Sequence, residues 1–254
     1  IYNNALQGKA YQSEKELFNY KNSTYYINIV VIPVIKNDVV EYVLTMYYDN
    51  TEKALAEMKL EKARQMISED LSIAKSIQSK LIGYDPNEKE KLEIFTFFEP
   101  MIEVGGDLYD IDLINEKHYR IFLADAVGHG IQAALITMLI KSEYERIKHF
   151  RLSAKDSIET LNRQFVYIYE NLNTYFTCFL IDIDLEAMEI TYVSAGHPFQ
   201  ILLAGDEIIR LTSRGTLFGI EAHQTFDMET KRIEPGNRIY LYTDGIIEAY
   251  NESK

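Results

Sequence analysis

From Leu92 onward, apolar residues alternate with polar ones in short runs bounded by turn-forming residues, a period of two that predicts strands. The runs are Leu92–Phe98, Tyr119–Ala124, Thr177–Ile183, Glu189–Ser194, Gln200–Leu203, Glu207–Leu211, Phe226–Ile233 and Arg238–Thr243. Two longer stretches break this rhythm. Ile131 to about His149 and Ala154 to about Asn171 read as helices, with Ser153 as a cap for the second. Strands joined mostly by short turns, with helices inserted as a pair, predict antiparallel sheets in a layered α+β sandwich.

The chain before Leu92 follows other patterns. YYINIVVIPVIKNDVVEYVLTMYY, Tyr25 to Tyr48, gives two β-rich runs around Lys36, Asn37 and Asp38, a hairpin. About fifty residues cannot readily close a core unaided, so residues 1–50 read as the back portion of a larger segment. Thr51 to Ile82 contains no proline or glycine and is rich in helix formers, predicting a linker helix over 51–82. Counting in sevens places Leu60, Ile67, Ala74 and Leu81 at one seam position and Ala56, Ala63, Asp70 and Ile77 at the other. Such a repeat supports a short parallel coiled coil and a homodimer. The small alanines and Asp70 suit a single amphipathic helix lying on its own domain as well. Gly83, Tyr84, Asp85 and Pro86 stop the helix. The run DNTEKALAEMKLEK, Asp49 to Lys62, resembles the end of a PAS sensor domain, where a final strand passes into a linker helix.

Composition narrows the function classes. At 254 residues, 47% hydrophobic and 26% charged, the chain suits one large globular domain, or one domain and part of another. No apolar run approaches the roughly 18 residues of a membrane helix, and the N-terminus lacks the order of a signal peptide, so a soluble, cytoplasmic protein is expected. A net charge of −13 and a pI near 4.9 would repel phosphate backbones, and no basic stripe offsets them. Nucleic acid is therefore not an expected partner. Cys178 is the only cysteine, which excludes internal disulfides and thiolate zinc cages, and in TCFLI it reads as a buried bystander.

Acids gather where the pattern changes. In VGGDLYD, Val104 to Asp110, Asp107 follows Gly105 and Gly106 after the apolar run IFTFFE. Asp125 follows HYRIFLA and precedes AVGHG; Asp244 follows RIYLYT and precedes Gly245. Each aspartate thus reads as a strand exit beside a glycine that permits close backbone approach. One such acid is an ordinary turn residue. Three, with no cysteine or histidine cluster, favour a hard-cation site with oxygen ligands, magnesium or manganese rather than zinc. His129 in GHG could donate to a phosphate or serve structurally. His197 in AGHP reads as a turn residue. Gly128 and Gly130 hint at a phosphate cradle, but neither GxxxxGK[ST] nor GxGxxG is present. Tyrosines alternating with aliphatics in RIYLYT read as sheet packing.

VGGDLYD, LADAVGHG, SAGHP, TLFGI and LYTDGIIEA, in that order, resemble the metal-dependent PPM-type serine/threonine protein phosphatases of the bacterial SpoIIE-like branch. The segment AKSIQSKLIG resembles the one preceding this catalytic domain in sensor-linked members. The resemblance implies a phosphatase domain over residues 83–254, with two antiparallel sheets flanked by helices in an α-β-β-α sandwich. It implies that Asp107, Asp125 and Asp244 are metal ligands together with the Ala126 carbonyl, with Asp125 bridging two Mn²⁺ or Mg²⁺ ions. Asp110 and His129 would lie just outside that set. The family has a further aspartate ligand, a strand and a helix beyond the position of Lys254, so either the stretch is truncated or the site is incomplete.

Phosphate-monoester hydrolysis is slow enough that enzymes accelerate it up to about 10²¹-fold, whereas one general acid or base supplies typically 10² to 10⁴. Two divalent ions roughly 3.5 to 4 Å apart lower the pKa of a water and neutralise developing charge. The expected activity is hydrolysis of phosphoserine or phosphothreonine on a partner protein. The resemblance implies a STAS-type anti-sigma-factor antagonist as substrate, in a partner-switching pathway. Two alternatives stay open: a non-catalytic module of the same fold that binds a phosphoprotein, and a dimeric sensor scaffold.

Overall fold

The computed structural model describes residues 2–83, 91–100, 103–128, 130–172 and 174–247. The chain divides into two compact units, Ile1–Asp70 and Leu71–Lys254.

The first unit opens with a short helix, α1 (Tyr2–Leu6), followed by an antiparallel meander of β1 (Tyr11–Tyr20), β2 (Ser23–Lys36) and β3 (Val39–Asp49). The hairpin read from Tyr25–Tyr48 is β2 and β3. Asn37 and Asp38 form its two-residue turn with φ of 51° and 61°, a conformation that Asn and Asp tolerate. Strand β1 adds a third strand that the pattern did not show. Its sequence YQSEKELFNY is polar on both faces and largely exposed, so no alternation marks it. A bulge interrupts β1 between Ser13 and Glu16, where Lys15 has φ 58° and donates its N–H to Asn28 Oδ1 at 2.9 Å. Among the described residues of this unit, the buried apolar side chains are Ala5, Val31 and Ala54.

The long helix α2 (Thr51–Leu81) starts where expected. Asp49 Oδ1 accepts from the Thr51 N–H at 2.9 Å, and Thr51 Oγ1 accepts from the Tyr26 N–H at 2.9 Å, which ties the helix start to β2 and β3. The helix counts with the first unit through Asp70 and with the second from Leu71. Leu60, Ile67, Ile77 and Leu81 on its seam are exposed.

The second unit holds β4 (Asp107–Asn115), β5 (His118–Ala126), α3 (Ile131–Lys148), α4 (Ala154–Tyr169), β6 (Phe176–Asp184), β7 (Glu189–Ala195), β8 (Gln200–Ala204), β9 (Glu207–Leu211), β10 (Met228–Arg232) and β11 (Arg238–Tyr240). Two antiparallel sheets result, of order β10-β7-β6-β5-β4 and β11-β8-β9. Alternation along β5 and β6 builds both layers of core. Phe122, Ala124 and Leu180 face Ile140, Tyr144, Ile158 and Phe165 of the helices. Their neighbours Ile121, Leu123, Phe179 and Ile181 face Leu202 and Leu211 of the second sheet. Burying each such side chain stabilises by roughly 1.5–3 kcal/mol, which is why β5 and β6 read as nearly continuous apolar runs. Ser153 caps α4 as expected: its Oγ accepts from the Asp156 N–H at 3.1 Å and donates to Asp156 Oδ2 at 2.7 Å.

The α+β architecture with two antiparallel sheets is therefore as expected. Among the described residues, α3 and α4 supply one helical layer, and no second one forms over the smaller sheet. Leu92–Phe98 is a correction. It forms no strand and pairs with none among the described residues; Phe95 and Phe97 are 86% and 89% exposed, while Leu92 and Ile94 lean on the inter-sheet core. A ladder needs a partner as well as a pattern, and β4, the edge strand of the larger sheet, pairs with β5 alone among the described strands. The last two predicted strands also shorten, to Met228–Arg232 and Arg238–Tyr240.

Candidate active site

Antiparallel register sets Asp107, the first residue of β4, directly opposite Asp125, the penultimate residue of β5. Asp107 is thus a strand entrance rather than the exit read from sequence. The glycines before it answer to space. The Ala126 N–H donates to the Gly106 carbonyl at 2.9 Å, and a Cβ on Gly106 would lie 2.8 Å from the Ala126 carbonyl oxygen. A side chain there would push against the carbonyl that a cation would use. Asp244 arrives from the second sheet, opening a 3-10 turn (Asp244–Ile246) after β11. Its neighbour Thr243 donates its hydroxyl to Asp107 Oδ2 at 3.0 Å, joining the two loops.

Burial and mutual repulsion dominate the electrostatics. Burial, and then the charges of Asp107 and Asp244, push the Asp125 carboxyl up to about 7. Burial also raises Asp107, against the Thr243 hydroxyl, which favours the ionised form. Among the described residues, no lysine or arginine forms an ion pair with any of the three. An all-oxygen, uncompensated anionic donor set fits a hard divalent cation, whose charge would relieve the repulsion on Asp125. The cup is open: among the described residues, no three such side chains are close enough to enclose an ion by themselves.

The other predicted residues fall in different places. Asp110 is buried on β4 and ion-paired with Lys141 of α3, and with Lys148 at 3.4 Å, so its contacts run toward the helix layer. Ala126 ends β5 and is buried. His129 lies outside the described residues. Gly128 and Gly130 have φ of 104° and 74°, backbone that favours glycine.

Two buried polar side chains, Gln78 and Gln200, had no sequence signal. Gln78, near the end of α2, donates through Nε2 to the Gly105 carbonyl at 2.8 Å and accepts from the Gly105 N–H at 3.1 Å. It reaches Thr137 of α3 at 3.1 Å as well. Gln200 holds the Tyr242 peptide in the same two-handed way, with N–H···Oε1 at 2.6 Å and Nε2···O at 3.0 Å. Each glutamine grips the peptide two residues before a site aspartate. His197 is buried, no surface turn residue: its Nε2 meets the Tyr242 carbonyl at 3.2 Å and its Nδ1 meets the Thr177 hydroxyl at 2.7 Å. A carbonyl only accepts, so Nε2 carries the proton and Nδ1 accepts from Thr177. Burial holds His197 neutral, with its pKa lowered to about 4.

A family model for Stage II sporulation protein E (SpoIIE) matches residues 115–254, more than half of the chain, including Asp125 and Asp244. The chain belongs to the SpoIIE family. Two relatives from Bacillus subtilis (strain 168) are named as phosphoserine phosphatases. Phosphoserine phosphatase RsbP is 29% identical over 185 residues, covering 70% of this chain and 45% of that protein. Phosphoserine phosphatase RsbU is 26% identical over 194 residues, covering 75% and 57%. The chain thus spans about half the length of these relatives. The SiaA-PP2C domain of Pseudomonas aeruginosa shares the fold at TM-score 0.62 and 22% identity, over 72% of this chain and 74% of that one. The PP2C phosphatase domain of SpoIIE from Bacillus subtilis, with a fragment of its regulatory domain, matches at TM-score 0.51 and 21% identity, over 58% and 45%.

Proposed function

We propose that this SpoIIE-family chain hydrolyses phosphoserine or phosphothreonine on a partner protein, with Asp107, Asp125, Asp244 and the Ala126 carbonyl holding divalent cations. The observation that carries the reading is the approach of three carboxylates from two sheets, with no lysine or arginine paired to them among the described residues. The names of RsbP and RsbU support the reaction class. When bound, two Mn²⁺ or Mg²⁺ ions would supply positive charge for the phosphoryl oxygens and acidify a water. The chain's own residues do the rest. Asp107 and Asp125 present their carboxylates side by side across the β4–β5 ladder. Gly106 leaves the Ala126 carbonyl uncovered, and Thr243 keeps the Asp107 and Asp244 loops joined.

The finer parts of the proposal have separate supports. A STAS-type anti-sigma-factor antagonist as substrate follows from the motif resemblance. Among the described residues no helix is long and apolar enough to cross a membrane. A PAS-like segment over residues 1–50 is supported by the hairpin feeding a long helix. Homodimerisation through that helix is supported by the exposed Leu60, Ile67, Ile77 and Leu81. The deciding experiment is Mn²⁺-dependent phosphate release from a phosphoserine peptide, comparing the chain with Asp125→Asn. Release that needs Mn²⁺ and disappears in the variant bears the proposal out. Release unaffected by the substitution would overturn it, and no release at saturating Mn²⁺ would favour a non-catalytic phosphoprotein-binding module.

A further inference from the structure

The β8–β11 ladder runs from Arg238↔Leu203 to Tyr240↔Ile201 and ends there. Two residues later Tyr242 would need main-chain partners near Phe199 and Pro198, and proline has no N–H to offer. The Gln200 side chain takes over. Its Oε1 accepts from the Tyr242 N–H at 2.6 Å, and its Nε2 donates to the Tyr242 carbonyl at 3.0 Å and to the Pro198 carbonyl at 3.0 Å. Gln200 is fully buried, where an apolar residue would fill the same space without needing hydrogen bonds. His197 adds a second donor to the same carbonyl, and its other ring nitrogen is bonded to Thr177. Thr177 stands directly opposite Asp125 in the β5–β6 ladder. A continuous hydrogen-bonded path therefore runs from the strand neighbour of Asp125, through His197, to the peptide two residues before Asp244.

We infer that Gln200, assisted by His197, is a positioning residue that fixes Asp244 against Asp107 and Asp125 and so sets the affinity of the acidic site for a divalent cation. This rests on the reading of Asp244 as a ligand. The amide acts through the Tyr242 peptide and touches neither cation nor substrate. Residues that orient metal ligands in this way typically change metal affinity by 10- to 100-fold when removed.

The test is titration of the full chain with Mn²⁺, following free ion by electron paramagnetic resonance, for the native sequence, Gln200→Met and Asp244→Asn. Gln200→Met keeps the volume and removes the amide. Both variants are expected to bind Mn²⁺ about tenfold more weakly or worse, with cooperative melting retained. In Gln200→Met, phosphate release lost at low Mn²⁺ should return at saturating Mn²⁺, a recovery that a purely structural role would not produce. If Asp244→Asn weakens binding and Gln200→Met stays within twofold of the native chain, the inference fails while the site assignment stands. Unchanged binding in Asp244→Asn sinks both. Loss of cooperative melting in Gln200→Met also overturns the inference, because the amide would then hold the domain rather than the site.

Discussion

At one end of the β4–β5 ladder, Asp107 faces Asp125 with no lysine or arginine paired to either among the described residues; a few residues along, Asp110 is gripped by Lys141 and Lys148. On the same stretch of β5, Arg120 forks onto Asp182 at 2.6 and 2.7 Å and spends its remaining donors on Ser157 Oγ at 2.9 Å and the Leu152 carbonyl at 2.8 Å. Both regions bury acids in one sheet. Where the fold supplies the opposite charge, the acid ties helices to strands. Where it withholds that charge, the repulsion between the acids stands uncompensated, which is what supports the proposed cation site.

Four substitutions test this contrast, in falling order of effect. Asp125→Asn should cost about 10³-fold in metal-dependent phosphate release, the kinetic equivalent of several kcal/mol of charge stabilisation. The same variant should melt no lower than the native chain without metal, since it removes a buried like charge; a clear drop would show that Asp125 is scaffold. Arg120→Met should destabilise by about 3–5 kcal/mol in urea unfolding, because Asp182 is left buried without its partner. A loss below about 1 kcal/mol would mean that Asp182 finds solvent easily, as a surface pair would.

Lys141→Met should cost less, about 1–3 kcal/mol, since Lys148 still reaches Asp110 at 3.4 Å. An effect as large as that of Arg120→Met would show that Lys148 offers no substitute. The smallest effect concerns acid. With the His197 pKa lowered from 6.5 to about 4, the unfolded chain binds the proton more readily between those values. Stability contributed by neutral His197 is therefore present above pH 6.5 and lost as pH falls toward 4. His197→Gln should flatten that part of the stability–pH profile, measured by thermal melts, and an unchanged slope would assign it to other groups.

Much of this contrast was legible in the residues. Asp107, Asp125 and Asp244 stood out because acids beside glycines at the ends of apolar runs are economical only where backbone must come close to something. Apolar runs bounded by turn residues located β5 through β9, and those of β5 and β6 are nearly continuous because both faces are buried. The same reading misplaced the first strand, because IFTFFE is as apolar and β-branched or aromatic as any strand while its ladder partner is a separate matter. It missed β1, whose charged face meets solvent on both sides. Gln78 and Gln200 were silent for a different reason: an amide that completes a peptide's hydrogen bonds has no period and no charge. The Asp110–Lys141 pair was hidden in turn because its partners stand 31 positions apart in the chain.

The bond from Thr243 to Asp107 spans 136 residues of chain. A ribosome adding about 5–20 residues per second makes Asp107 and Asp125 on the order of ten seconds before Asp244. Throughout that interval two of the acids sit on a growing chain without the third. Order of synthesis thus acts as a safety catch: the acidic cluster proposed to hold cations stays incomplete until β11 and the turn after it have been made.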